Sequence, residues 1–145
     1  SDLGSIGDDA TWPADTLTAT LSGPGDIDWY TFRVNETVSG DVEPRVELES
    51  IPSGSDYTLC AYFDCVDPGA NPTLNCNVGS EEAYDGLSGC CSTNSGSSSE
   101  HVSLNVNCDN ATLTPDDNSG WIYVRVFNAS STLSCDNYSL PWGDD

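Results

Sequence analysis

An all-β fold, an antiparallel sandwich stapled by disulfides, is what this chain predicts, and three observations carry the reading. Apolar and polar residues alternate with a period of two over short runs, turn residues punctuate those runs, and seven cysteines sit in 145 residues. No stretch keeps the 3.6-residue apolar period of an amphipathic helix, so helix is expected to be scarce.

Leu17 to Leu21 is the first predicted strand. Ile27 to Asn35 is the clearest: Tyr30, Phe32 and Val34 point one way, and Trp29, Thr31 and Arg33 the other. The same alternation sets Val46 and Leu48 against Arg45, Glu47 and Glu49, and Tyr57, Leu59, Ala61 and Phe63 against Cys60, Tyr62 and Asp64. Val102, Leu104 and Val106 form a fifth run, and Ile122, Val124 and Val126 a sixth, backed by Trp121, Tyr123 and Arg125. Tyr138 and Leu140 begin the last. Gly-Pro-Gly, Pro-Ser-Gly-Ser and Asp-Asp-Asn-Ser-Gly turns separate these seven to eight strands, a spacing that suits a sandwich of one domain over residues 1–145. Residues 66–100 break the rhythm and are expected to be a long cysteine-rich insertion without strands, held by bridges.

Seven cysteines point to an oxidising compartment, so the chain is expected to be secreted, extracellular or on the cell surface. It opens at Ser1 without a charged or apolar leader, as a mature form or an excised piece would. Cys108 and Cys135 are expected to pair as two strand ends at one edge. An outward Cys60, or its neighbour Cys65, would receive Cys76, Cys90 or Cys91, and the adjacent Cys90 and Cys91 should not pair with each other. One thiol is left over. Zinc is a poor alternative, since there is no Cys-x-x-Cys pair and only one histidine.

Three arginines oppose 24 carboxylates, and the formal net charge is −21. That balance excludes nucleic acid as a partner and disfavours anionic membrane surfaces. No apolar run approaches the ~18 residues of a membrane span. Mutual repulsion at the surface would be offset by external salt or divalent cations.

Little points to catalysis. His101 follows Ser97, Ser98, Ser99 and Glu100, but neighbours along a strand do not converge into a triad. With carboxylates this abundant, no pair of them is informative. Calcium is better supported: hard cations want clustered oxygens on turns, and Asp26 and Asp28 sit on a glycine-rich turn, with Asp8 and Asp9 upstream as further ligands. The alternative is that these aspartates cap the turn. Trp29, Tyr62, Trp121, Tyr123 and Phe127 face away from the core side, where they line a layer contact or bind a sugar or another protein; Trp29, Tyr62 and Trp121 are the chosen candidates. Asn35, Asn110, Asn128 and Asn137 head glycosylation sequons.

The blocks Leu21-Ser22-Gly23 and Gly25-Asp26-Ile27-Asp28-Trp29-Tyr30-Thr31-Phe32 resemble the signature of bacterial pre-peptidase C-terminal domains. The similarity continues in Ser55-Asp56-Tyr57-Thr58-Leu59-Cys60-Ala61-Tyr62, Trp121-Ile122-Tyr123-Val124-Arg125-Val126 and Asp136-Asn137-Tyr138-Ser139-Leu140. The resemblance implies a jelly-roll-like sandwich, non-catalytic and usually appended to secreted hydrolases. In collagen-binding relatives, it implies calcium held between the N-terminal segment, here Asp8 and Asp9, and the early turn of Asp26 and Asp28. The cysteine-rich insertion and the absence of an attached enzyme depart from the family pattern. The expected function is therefore a non-catalytic extracellular module acting in structure, adhesion or self-assembly, such as a surface or filament subunit stabilised by Ca2+. Its partners would be copies of itself or an extracellular polysaccharide or protein, with residues 1–14 as an exchangeable arm. The alternative is a carbohydrate- or protein-binding accessory domain of a secreted hydrolase.

Overall fold

The structure, a computed structural model, describes residues 1–23, 25–37, 41–67, 69–109, 117–132 and 134–145. Among these, eleven strands and no helix are found: β1 Asp2–Gly7, β2 Asp15–Ala19, β3 Ile27–Asn35, β4 Pro44–Leu48, β5 Tyr57–Cys65, β6 Asn71–Val78, β7 Ser80–Tyr84, β8 Leu87–Cys91, β9 Glu100–Asp109, β10 Gly120–Asn128 and β11 Tyr138–Asp144. They form a six-stranded sheet ordered β1-β3-β10-β5-β8-β7 and a five-stranded sheet ordered β2-β11-β4-β9-β6.

Removing β1, β6 and β7 leaves β2-β11-β4-β9 facing β3-β10-β5-β8, with successive strands alternating between the sheets except at β5 and β8, which are neighbours in one sheet. That is the two-sheet jelly roll. The seven strands expected from alternation all belong to this frame. The expected loop at 66–100 is corrected: it contains β6, β7 and the frame strand β8. The N-terminal arm is a strand as well, since β1 pairs in parallel with β3, the one parallel pairing among the described residues.

Alternation explains the core. In β3 and β10 every second residue is buried, so Tyr30, Phe32 and Val34 meet Ile122, Val124 and Val126 on one inner layer. Val46, Leu48, Val102, Leu104, Val106 and Leu140 supply the other. Burying a side chain of this size contributes about 1.5–3 kcal/mol. Phe32 and Trp142 join the layers with ring centroids 4.7 Å apart. Gly120 is required where it stands, because a Cβ there would come within 2.0 Å of the Phe63 ring.

Three disulfides fasten the frame. Cys65–Cys108 joins β5 to β9 and Cys76–Cys90 joins β6 to β8, each linking one sheet to the other; Cys60–Cys91 ties directly opposed residues of β5 and β8. The expected Cys108–Cys135 bridge is not formed. Cys108 faces inward at the end of the sandwich where β5 finishes. Cys135 is exposed and free in the segment before β11, at the opposite end, near Tyr57. About 26 Å of β9 separates the two ends.

In the chain-entropy picture, closing the 43-residue span of Cys65–Cys108 stabilises by about 4 kcal/mol. The paired substitution Cys65→Ala with Cys108→Ala should lower the urea unfolding free energy by roughly that amount, whereas Cys135→Ser should leave it unchanged. Thiol titration of the native protein should count one accessible sulfhydryl.

Candidate functional site

The β7–β8 hairpin curls back over the outer face of the six-stranded sheet. Its two-residue turn, Asp85-Gly86, has both residues at positive φ, 50° and 85°, as a type I′ turn requires. Gly89 lets the hairpin lie close, since a Cβ there would sit 2.3 Å from the Ala61 carbonyl and 2.6 Å from the Tyr62 ring. Although β7 is four strands away from β3 in the sheet order, this curvature brings the Tyr84 ring to 5.3 Å from Trp29 and 5.7 Å from Tyr62.

A second, small apolar cluster results, with Cys60, Tyr62 and Cys91 buried beneath Trp29, Leu87, Tyr123 and Phe127. Above it runs an open groove of about 450 Å³ lined by Trp29, Thr31, Tyr84, Asp85, Leu87 and Tyr123. Arg125 is packed among rings, its guanidinium carbon 4.3 Å from the Phe127 centroid, 4.9 Å from Tyr84 and 5.9 Å from Trp29. Cation–π attraction of this kind holds the rings in place. The Tyr62 hydroxyl donates to the Cys91 disulfide sulfur, 3.8 Å away, and burial pushes its pKa up.

Of the three aromatic candidates, Trp29 lines the groove. Tyr62 is fully buried under the hairpin and forms its floor rather than its surface. Trp121 lies on the same face between Arg33 and Asp64, outside the groove lining. Tyr84, Leu87 and Asp85, missed from sequence, complete the site. Their signal was the Asp-Gly pair flanked by Tyr84 and Leu87, a hairpin motif inside the stretch expected to be a loop.

The four proposed calcium ligands are not brought together. Asp8 donates its N–H to the Asn35 carbonyl at one end of β3, and its carboxylate accepts from the Thr37 hydroxyl. Asp26 precedes the other end, about 26 Å away by strand rise. There its carboxylate accepts from the Ser22 N–H and hydroxyl, both at 2.7 Å, which hold its pKa down. Asp28 accepts from Tyr138 at 2.5 Å and Tyr30 at 3.2 Å. Asp9 follows Asp8 at the far end. These residues do not fit a shared calcium site; Asp26 caps its turn. Among the described residues, the metal-like cluster is Cys60, Cys91 and Glu82, but both sulfurs belong to one disulfide.

His101 lies opposite Glu47, its Nε2 4.0 Å from the carboxylate, on the outer face of the five-stranded sheet. Glu47 is already bound by Arg45 at 3.1 and 2.5 Å, and Ser103, two residues along, is buried. Burial and Arg45 lower the His101 pKa. Among the sequons, Asn35 donates to the Ile6 carbonyl and Asn128 to the Thr132 carbonyl, while Asn137 is exposed. Asn110 lies outside the described residues.

No protein-family model matches the chain, and no curated protein does either.

Two buried carboxyls set the acid–base behaviour. Burial, assisted by the Asp8, Glu43 and Asp145 carboxylates and opposed by the Glu43 N–H, pushes Asp144 up to about 7. Glu100 is fully buried and its oxygens make no hydrogen bond of ordinary geometry. Burial raises its pKa, and the Ser92 hydroxyl and Asn94 backbone pull the other way. Between about pH 4 and 7 the folded chain keeps a proton on Asp144 that the unfolded chain has lost, so unfolding free energy must fall as pH rises. Urea midpoints should decline steadily from about pH 4.5 to 7.5, and Asp144→Asn should flatten that slope. A wild-type midpoint rising over the same window would contradict the assignment.

Proposed function

We propose that this chain is a non-catalytic secreted module that acts by physical attachment in the extracellular space, through the aromatic groove on its outer sheet face. The groove is the single observation that carries the reading. It combines partly exposed rings with two polar groups on a scaffold fixed by disulfides, and its volume falls within the roughly 300–1,000 Å³ of ordinary ligand sites. Three disulfides are compatible with an extracellular setting. The resemblance to pre-peptidase C-terminal domains, which implies a jelly-roll-like sandwich without catalysis, supports the reading, though fold alone does not assign function. His101, Glu47 and Ser103 also favour a structural role, since Glu47 is committed to Arg45 and Ser103 is covered.

Self-assembly is the second reading, favoured by the exposed free Cys135. The sheet edges speak less for it: β6 carries Pro72, and the fully exposed β7 carries Glu81 and Glu82, features that discourage strand addition.

Pull-down of the purified protein by insoluble extracellular polysaccharides and fibrous proteins tests the attachment reading. Wild type should be retained by at least one, and Trp29→Ala should weaken retention about tenfold, the usual scale for an aromatic anchor. Equal retention of both proteins would sink it. A dimer on non-reducing gels, abolished by Cys135→Ser, would move the reading toward assembly.

A further inference from the structure

Resting on the reading of the groove as an attachment site, we infer that its ligand is a neutral polysaccharide, bound by stacking pyranose rings on Trp29, Tyr84 and Tyr123. The three aromatic residues line one open channel with Leu87, and Tyr84, at 40% exposure, remains available to a ligand. The C–H-rich face of a hexose matches such a ring face in polarity, while its rim of hydroxyls needs donors and acceptors at the groove wall. Thr31 can give and take a hydrogen bond there, and Asp85, held at the I′ turn, accepts from vicinal hydroxyls.

Charge selects against the other occupants. A chain carrying −21 repels acidic polysaccharides and further copies of itself. Neither arginine of this face is among the residues that line the groove: Arg125 is stacked among Trp29, Tyr84 and Phe127, and Arg33 lies beside Trp121 across the β3–β10 pair. Among the described residues, the groove lining therefore presents no cation to a uronate or sulfate. Its volume of about 450 Å³ is also that of a small-ligand cleft.

Affinity electrophoresis of the whole chain through gels containing hydroxyethylcellulose, β-1,3-glucan, mannan or soluble starch, with alginate and gelatin gels alongside, tests this. At least one neutral polymer should retard wild type. The retardation should persist from about 0.1 M to about 1 M salt, where screening shortens the Debye length from about 10 to about 3 Å. Trp29→Ala and Tyr84→Ala should each weaken binding about tenfold, and Tyr84→Phe, which keeps the ring, less than about threefold. Circular dichroism confirms that the variants fold. No retardation by any neutral polymer overturns the inference. Retardation by alginate or gelatin that is lost with the same substitutions overturns it too, while the attachment reading survives. Retardation indifferent to Trp29 and Tyr84 overturns both.

Discussion

The attachment of the β7–β8 hairpin to the jelly-roll frame is the constraint on which the rest depends. Two of the three disulfides end on β8, one reaching across the sheet to Cys60 and one across the sandwich to Cys76. Between them the strand is held on both faces. The hairpin has little apolar surface of its own, since every residue of β7 is exposed, so packing alone would not keep it in place. Covalent links substitute for the missing hydrophobic area, as is usual in small secreted folds. Only with β8 fixed does Tyr84 reach Trp29, and only then does the outer face become concave.

A division of labour follows. The inner layers are conventional, with alternating aliphatic and aromatic residues packed between two sheets. The outer face of the six-stranded sheet holds a second, much smaller cluster whose floor is Tyr62 and a disulfide. At one end of the sandwich, Asp28 gathers the hydroxyls of Tyr30 and Tyr138, which are themselves 2.7 Å apart, and so ties β3 to β11 across the layers. Carboxylates in this chain thus act as acceptors for its own donors as well as solubilising charge.

Much of the frame was legible because half-buried strands announce themselves with a period of two: Tyr30-Phe32-Val34 and Ile122-Val124-Val126 could be placed from sequence alone. The inserted strands were not. β7 has no buried side to alternate with, β6 carries only Leu74 and Cys76 as partly buried apolar residues beside a proline, and β1 has no fully buried residue and only Leu3 and Ile6 packed on the core. Their pairing is imposed by neighbours and by sulfur. Facing was read correctly for Cys60 and Trp29, but facing outward does not mean exposed. Tyr62 is covered by a hairpin whose curl is a three-dimensional property. The Cys108–Cys135 pairing failed for a related reason: sequence order does not say which end of a sandwich a strand terminus occupies.

The adjacent cysteines have one more consequence. Because side chains alternate along β8, Cys90 points between the sheets and Cys91 points away from them, and each finds its partner on its own side. Exchanging the two partners would demand a one-residue slip of β8, which would turn Gly89 and Ser88 over as well and drive a hydroxyl against the Tyr62 ring. The doublet therefore works as a ratchet tooth: oxidation in the correct pairing and alignment of the strand are the same event.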